Sequence, residues 1–222
     1  MLIRVRMTLT EEALGMMPTD QEIHETYIAS KAPDAPSIEE EVEAVGVDGV
    51  VEKTMTIFPK LADGVPFLWD YQIKGFFKDS WGMLRRANDE DTGKACKAIK
   101  AYKKMIDGLL FIRERKIPIA CSGPMGDCQR PLRAATAQGD RVALAHSETV
   151  PAGSQFAFTI ELLDVGMEKA VRECLDYARL RGFAQWRNSG KGTAVWEELD
   201  ENGNVIGGKR IPPNCSRHCA WR

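Results

Sequence analysis

The residues with the clearest chemical content lie in one short run, Gly182-Phe-Ala-Gln-Trp-Arg-Asn-Ser-Gly-Lys-Gly192. Gly182, Gly190 and Gly192 free the backbone to approach a ligand and to turn N–H groups toward an anion. Arg187 and Lys191 add positive charge, while Trp186 and Phe183 offer flat faces to a nucleobase. Together they suit a single nucleic-acid strand. The same residues would also serve a helix end and a hairpin-like turn with Trp186 in the core. Lys74 and Lys78 lie one helical turn apart, the first near a helix start where free N–H groups favour an anion. As simple solvated helix lysines they would need no ligand. Arg4 and Arg6 share the polar face of an alternating segment. Arg133 belongs to Arg130-Pro-Leu-Arg-Ala-Ala-Thr-Ala-Gln-Gly-Asp-Arg141, which reads as a protruding hairpin with its tip at Gln138-Gly-Asp140. An ordinary long surface hairpin is the plainer reading.

Metal and covalent chemistry have weaker footing. Cysteines stand at 96, 121, 128, 174, 215 and 219, too irregularly spaced for a disulfide framework, so reduced thiols are expected. Cys121 and Cys128 bracket a glycine-containing loop, and Cys215-Ser-Arg-His-Cys219 offers two more thiols. Those four thiols would close on zinc only if the tail folds back, in a spacing unlike standard zinc patterns. No metal or cofactor is therefore expected, and Cys96 and Cys174 read as buried apolar groups on helices. The chain has three histidines and no nucleophile elbow, Walker loop, His-Glu-x-x-His or dinucleotide fingerprint. It reads as non-catalytic. Asp48 is the weak catalytic candidate, and it or Lys74 is what a metal-independent endoribonuclease would use.

The 222 residues carry 30 Lys+Arg, 32 Asp+Glu and 44% hydrophobic side chains, enough for one domain with a real core. No apolar run approaches a membrane span, and the alternating N-terminus does not read as a signal peptide. A cytoplasmic protein with no membrane partner is expected. The near-zero net charge hides an asymmetry. Residues 1–68 hold 5 basic and 13 acidic side chains, and residues 69–116 hold 12 and 7. A basic middle beside an acidic start can form a local positive surface without a high pI.

The elements that must position these groups follow from periodicity. Residues 2–9 alternate as a strand. Ser37 with Glu40 predicts a capped acidic helix to about Val45, ended by Gly46. Ala62-Asp-Gly64 predicts a hairpin turn. Ile73, Phe76, Phe77, Trp81 and Leu84 predict a helix over 71–87, with Gly75 admitting a close backbone neighbour. A second basic helix is expected over 94–105, one strand over 109–119, and a strand pair at 142–145 and 155–163. A helix capped by Asp164 follows over 167–180, and a last strand over 193–199. Without insertions the order is βαββαβ, an α+β ferredoxin-like or RRM-like fold. The expected domain is 1–206, with insertions at about 10–60, 88–107 and 120–145 and a loose tail over 207–222.

Three ordered segments add a resemblance to the RAMP superfamily, the guide-RNA-binding backbone proteins of CRISPR effectors. Gly64-Val-Pro-Phe-Leu-Trp-Asp-Tyr-Gln-Ile-Lys-Gly75 is similar to the family's Pro-Gly-Ser-Ser-Leu-Lys-Gly approach to its first helix. His146-Ser-Glu-Thr-Val-Pro-Ala-Gly-Ser-Gln-Phe156 resembles its Glu-x-Val-Pro-Ala-Gly-Thr-x-Phe strand start. Gly182 to Gly192 resembles its glycine-rich C-terminal loop. Asp70-Tyr71-Gln72 replaces the family's Gly-Ser-Ser, Thr193 stands where an Arg usually follows the loop, and the flanks of Asp48 do not match the family's catalytic Asp. The resemblance implies single-stranded RNA, or DNA, as ligand and a homo-oligomer stacked along the strand. It also implies CRISPR or other host-defence components as partners in a bacterial host cell, where a phage or mobile element could encode an effector-like subunit or a decoy. Apart from the resemblance, the acidic 37–48 segment would suit an inhibitor or sequestering protein working through protein contacts.

Overall fold

The structure, a computed structural model, describes residues 1–18, 55–136 and 139–209, excluding the side chains of Pro18, residues 131–144 and Lys209. In order it forms β1 (Leu2–Leu9), β2 (Ala13–Leu14), β3 (Met17–Pro18), β4 (Thr56–Ile57), β5 (Phe67–Trp69) and α1 (Asp70–Leu84). Next come α2 (Lys94–Ala98), α3 (Tyr102–Leu109), β6 (Leu110–Ile112), β7 (Lys116–Ala120), β8 (Gly126–Thr136) and β9 (Gly139–Val150). The last elements are β10 (Gln155–Leu162), α4 (Glu168–Tyr177), β11 (Ala194–Leu199) and β12 (Val205–Lys209). The expected acidic helix at 37–45, Asp48, Cys215 and Cys219 lie outside the described residues.

A seven-stranded sheet runs β12-β11-β1-β10-β7-β5, with β6 also on β10. Its pairings are antiparallel. α1 follows β1 and precedes β6, and α4 joins β10 to β11, so the mixed α+β arrangement is consistent with a ferredoxin-like fold. Alternation explains the register. Ile3, Val5 and Met7 pair with Ile160, Phe158 and Phe156, and all six are buried on the helix side of the sheet. The apolar stripe of α1, including Ile73, Phe76, Phe77 and Trp81, covers that side together with Val171, Cys174 and Leu175 of α4. Removing such rings from water at about 25 cal/mol per Å² is the main driving force for this layer.

Local signals set the helix starts. The backbone N–H of Trp69 donates to Gln72 Oε1 at 2.8 Å, half of a capping box. Asp70-Tyr71-Gln72 thereby supplies its own cap in place of a Gly-Ser-Ser opening. Asp164 accepts from the Gly166 N–H at 2.8 Å and starts the 3-10 turn before α4. The turn at 62–64 closes through Leu61 N–H to Val65 O at 2.9 Å.

Several elements differ from expectation. The basic helix over 94–105 is two short helices, α2 and α3. The strand over 109–119 is two strands, β6 and β7, separated where Glu114 turns inward to accept from the Thr159 N–H and hydroxyl at 2.7 and 2.8 Å. β9 begins at Gly139, and together with β8 it makes a long hairpin on a second, five-stranded sheet. Residues 207–209 are paired in β12 instead of loose. Cys96 and Cys174 are buried as expected, Sγ to Sγ 3.8 Å apart, and burial pushes the Cys174 thiol pKa up.

Gly75 does not admit a close neighbour. Nothing lies within 4 Å of the Cβ it lacks. Gly75→Ala is therefore expected to stabilise the protein by about 0.5–1 kcal/mol, because alanine loses less backbone entropy in a helix. A thermal melt that fails to rise would contradict this.

Candidate nucleic-acid interface

The 182–192 loop is built by backbone contacts before any side chain acts. A Cβ on Gly182 would lie 2.0 Å from the Gly192 carbonyl carbon, and one on Gly192 would lie 2.2 Å from the Phe183 carbonyl oxygen. The Phe183 N–H donates to Gly192 O at 2.8 Å, and the Gly192 N–H donates to Glu12 O at 2.8 Å. These two glycines thus close the loop onto itself and onto the segment between β1 and β2. Only Gly190, at φ +83° with nothing within 4 Å, is open to a ligand.

Within the closed loop, Ala184 and Trp186 hold φ values of 64° and 54°. Left-handed backbone at a non-glycine residue costs roughly 1–2 kcal/mol, so the surrounding contacts must hold it. The amides of Ala184, Gln185 and Trp186 donate to no acceptor among the described residues. Changes of backbone hand with free N–H groups make a concavity suited to an anion.

Two carboxylates anchor the loop. Asp79 of α1 accepts from Arg181 Nε at 2.5 Å and Arg187 Nη1 at 3.0 Å, while Arg181 Nη1 donates to Asn188 Oδ1 at 2.8 Å. The hydrogen bonds that Arg181 donates to Asp79 raise the Arg181 pKa against the opposing effect of burial. Lys191 is ion-paired with Glu12. Arg187 and Lys191 therefore spend their charge inside the protein, holding the loop.

Trp186 is 41% exposed, so the reading that put it in the core fails. Phe183 is the buried ring, 4.1 Å from Phe76 and 5.2 Å from Phe156 between ring centroids, and it presents no face for stacking. Arg130 of β8 leans across from the hairpin base. Its guanidinium lies 5.0 Å from the Trp186 ring centroid and donates to Gln185 Oε1 at 2.9 Å. Its Nε is buried without a hydrogen-bond partner among the described residues. Such an N–H is costly to leave unsatisfied.

The other sequence candidates lie elsewhere. Lys74 and Lys78 share a face of α1 that looks toward α3. Lys78 pairs with Asp107 at 2.5 Å, and Lys74 lies 4.5 Å over the Phe111 ring. Arg4 and Arg6 occupy the sheet face opposite the helices. Arg6 pairs with Glu197 at 2.5 Å, and Arg4 makes no ion pair among the described residues. On that face β1 and β10 carry Arg4, Arg6, Thr8, Gln155, Ala157 and Thr159, so the central strands lack the aromatics of an RRM-type stacking surface. Arg133 lies in β8 with its side chain outside the description. Cys121 and Cys128 flank the start of β8, desolvation raises the Cys121 pKa, and the described residues contain no cluster able to hold a metal ion.

Sequence reading missed Arg130, Gln185, Asp79 and Glu12. The signal for Arg130 was present, since it opens the hairpin segment, but its partners lie 55 and 56 residues away in the chain.

No protein-family model and no curated protein matches the chain. Among 146 matching chains of solved structures is one from a cryo-EM structure of the Type III-B Cmr-beta bound to cognate target RNA. It has 11% identity and a TM-score of 0.48, covering 90% of this chain. This chain spans 58% of that neighbour's length. At that score the likeness carries no functional inference. No helix among the described residues is long and apolar enough to cross a membrane.

Proposed function

We propose that this chain is a non-catalytic single-stranded nucleic-acid-binding protein of RAMP-like, ferredoxin-like fold, taking RNA before DNA at the junction of the 182–192 loop and the β8–β9 hairpin. One observation carries the reading. An exposed indole in left-handed backbone is flanked by the Arg130 guanidinium, which pairs with no carboxylate among the described residues. A base stacks on Trp186, the Arg130 guanidinium beside that ring supplies positive charge to the strand, and the free amides of 184–186 receive the adjacent phosphate. The ordered sequence resemblance supports the same ligand. It also supports protomers arrayed along the strand, as an effector-like subunit or a decoy among host-defence components.

Fluorescence anisotropy with labelled oligouridylate is the test. Binding that weakens as salt rises is expected, because neutralised phosphates release counterions. The RNA should remain intact with and without divalent metal, and light scattering should show mass growing with strand length. No retention of RNA or single-stranded DNA at low salt would sink the proposal.

A further inference from the structure

A second aromatic and cationic surface lies where β5 runs into α1, apart from the Trp186 junction. Tyr71 is 53% exposed and stacks on Trp69 with an interplanar angle of 15° and centroids 6.3 Å apart. Arg115 and Lys116 lie 5.2 and 5.6 Å from the Trp69 ring centroid. Arg115 has one carboxylate partner, Asp70 at 2.5 Å, and Lys116 has none among the described residues. One turn on from Tyr71, Lys74 covers Phe111, itself 39% exposed. Lys74 also donates to the Asp107 carbonyl oxygen at 3.4 Å and Lys78 pairs with the Asp107 carboxylate, so four cations against two acids leave this surface net positive. Its rings are already oriented by packing, so a flat ligand would order few side chains.

We infer that Tyr71, Trp69 and Lys116 form a second stacking contact for the same single strand, taking a base on Tyr71 and its phosphate on Lys116. The inference rests on the proposed strand-binding function. The geometry suits it, because α1 links the two surfaces. Tyr71 lies in its first turn, and Asp79, which anchors the 182–192 loop, is eight residues on, about 12 Å along the axis at 1.5 Å per residue. An aromatic face flanked by Lys116, which has no carboxylate partner among the described residues, fits nucleic acid better than an acidic protein segment, which would gain nothing from an exposed stacked ring.

Binding of 4-nucleotide and 16-nucleotide oligouridylates tests this, since single-strand sites on one fold span roughly 4–16 nucleotides. Tyr71→Ala and Lys116→Gln alter exposed or edge side chains and are expected to leave the melt unchanged. Each should weaken 16-mer binding by about tenfold while changing 4-mer binding little. Photocrosslinking of a 4-thiouridine 16-mer should yield a Tyr71-containing peptide, and Tyr71→Ala should abolish it. Unchanged 16-mer affinity with no such crosslink overturns the inference, and if Trp186→Ala still weakens binding, the loop site survives alone. Conversely, loss with Tyr71→Ala and none with Trp186→Ala supports this surface and overturns the loop site.

Discussion

Arg130→Ala combined with Trp186→Ala is expected to weaken single-strand binding roughly a hundredfold or more. Stacking of one base on an aromatic side chain contributes about 1–3 kcal/mol, and a hydrogen bond from a charged donor contributes about 1.5–3 kcal/mol. Because Arg130 lies over the Trp186 ring, the two sites share a neighbour and their effects should not simply add. The single variants separate the roles. Arg130→Ala should flatten the salt dependence by about one phosphate, since it removes a cation. Trp186→Ala should lower affinity at every salt concentration with the slope intact. Arg187→Ala is a different experiment, because Arg187 holds Asp79 at 3.0 Å and its loss loosens the loop's anchor. If the double variant binds oligouridylate like wild type, the junction is not the binding site.

Gly182→Ala should be among the most damaging single changes available to the molecule. The added carbon would lie 2.0–2.2 Å from three backbone atoms of Gly192 and Thr193, and backbone cannot swing aside as a long side chain can. Opening the loop breaks the hydrogen bond between Phe183 and Gly192 and draws Phe183 out of its packing with Phe76 and Phe156. A loss of about 3–5 kcal/mol is expected, in the tail of single-substitution effects. At about 2–4 °C per kcal/mol for a domain of this size, the melt should fall by roughly 10 °C. Gly190→Ala is the control. Its site is open, so only the positive φ opposes it, and the cost should be about 1–2 kcal/mol. Equal melts for the two variants would show that Gly182 is not held by backbone contact.

The sequence alone determined the layer that supports the site. Ile3, Val5, Met7 and Leu9 alternate because a strand has period two, and Ile73, Phe76, Phe77 and Trp81 recur at helical spacing. Both patterns are local, so each could be read without knowing its neighbour. The element order then left few ways to pair the strands. The presence of a loop over 182–192 and a hairpin at 130–141 was legible from glycine and turn residues. The assignment of function within them was not. Phe183 and Trp186 are both aromatic, three residues apart in one loop, yet one is core and the other surface. That difference depends on Phe76 and Phe156, supplied by other elements. Gly182 and Gly192 read as openings for a ligand, but tertiary structure places them against each other. Arg187 and Lys191 read as free charge, but Asp79 and Glu12, more than 100 residues away, neutralise them. Arg130 became a site residue only because the hairpin folds onto the loop. Period and propensity are properties of a few consecutive residues, whereas the availability of a charge, ring or amide depends on what the rest of the chain brings within about 3–5 Å of it.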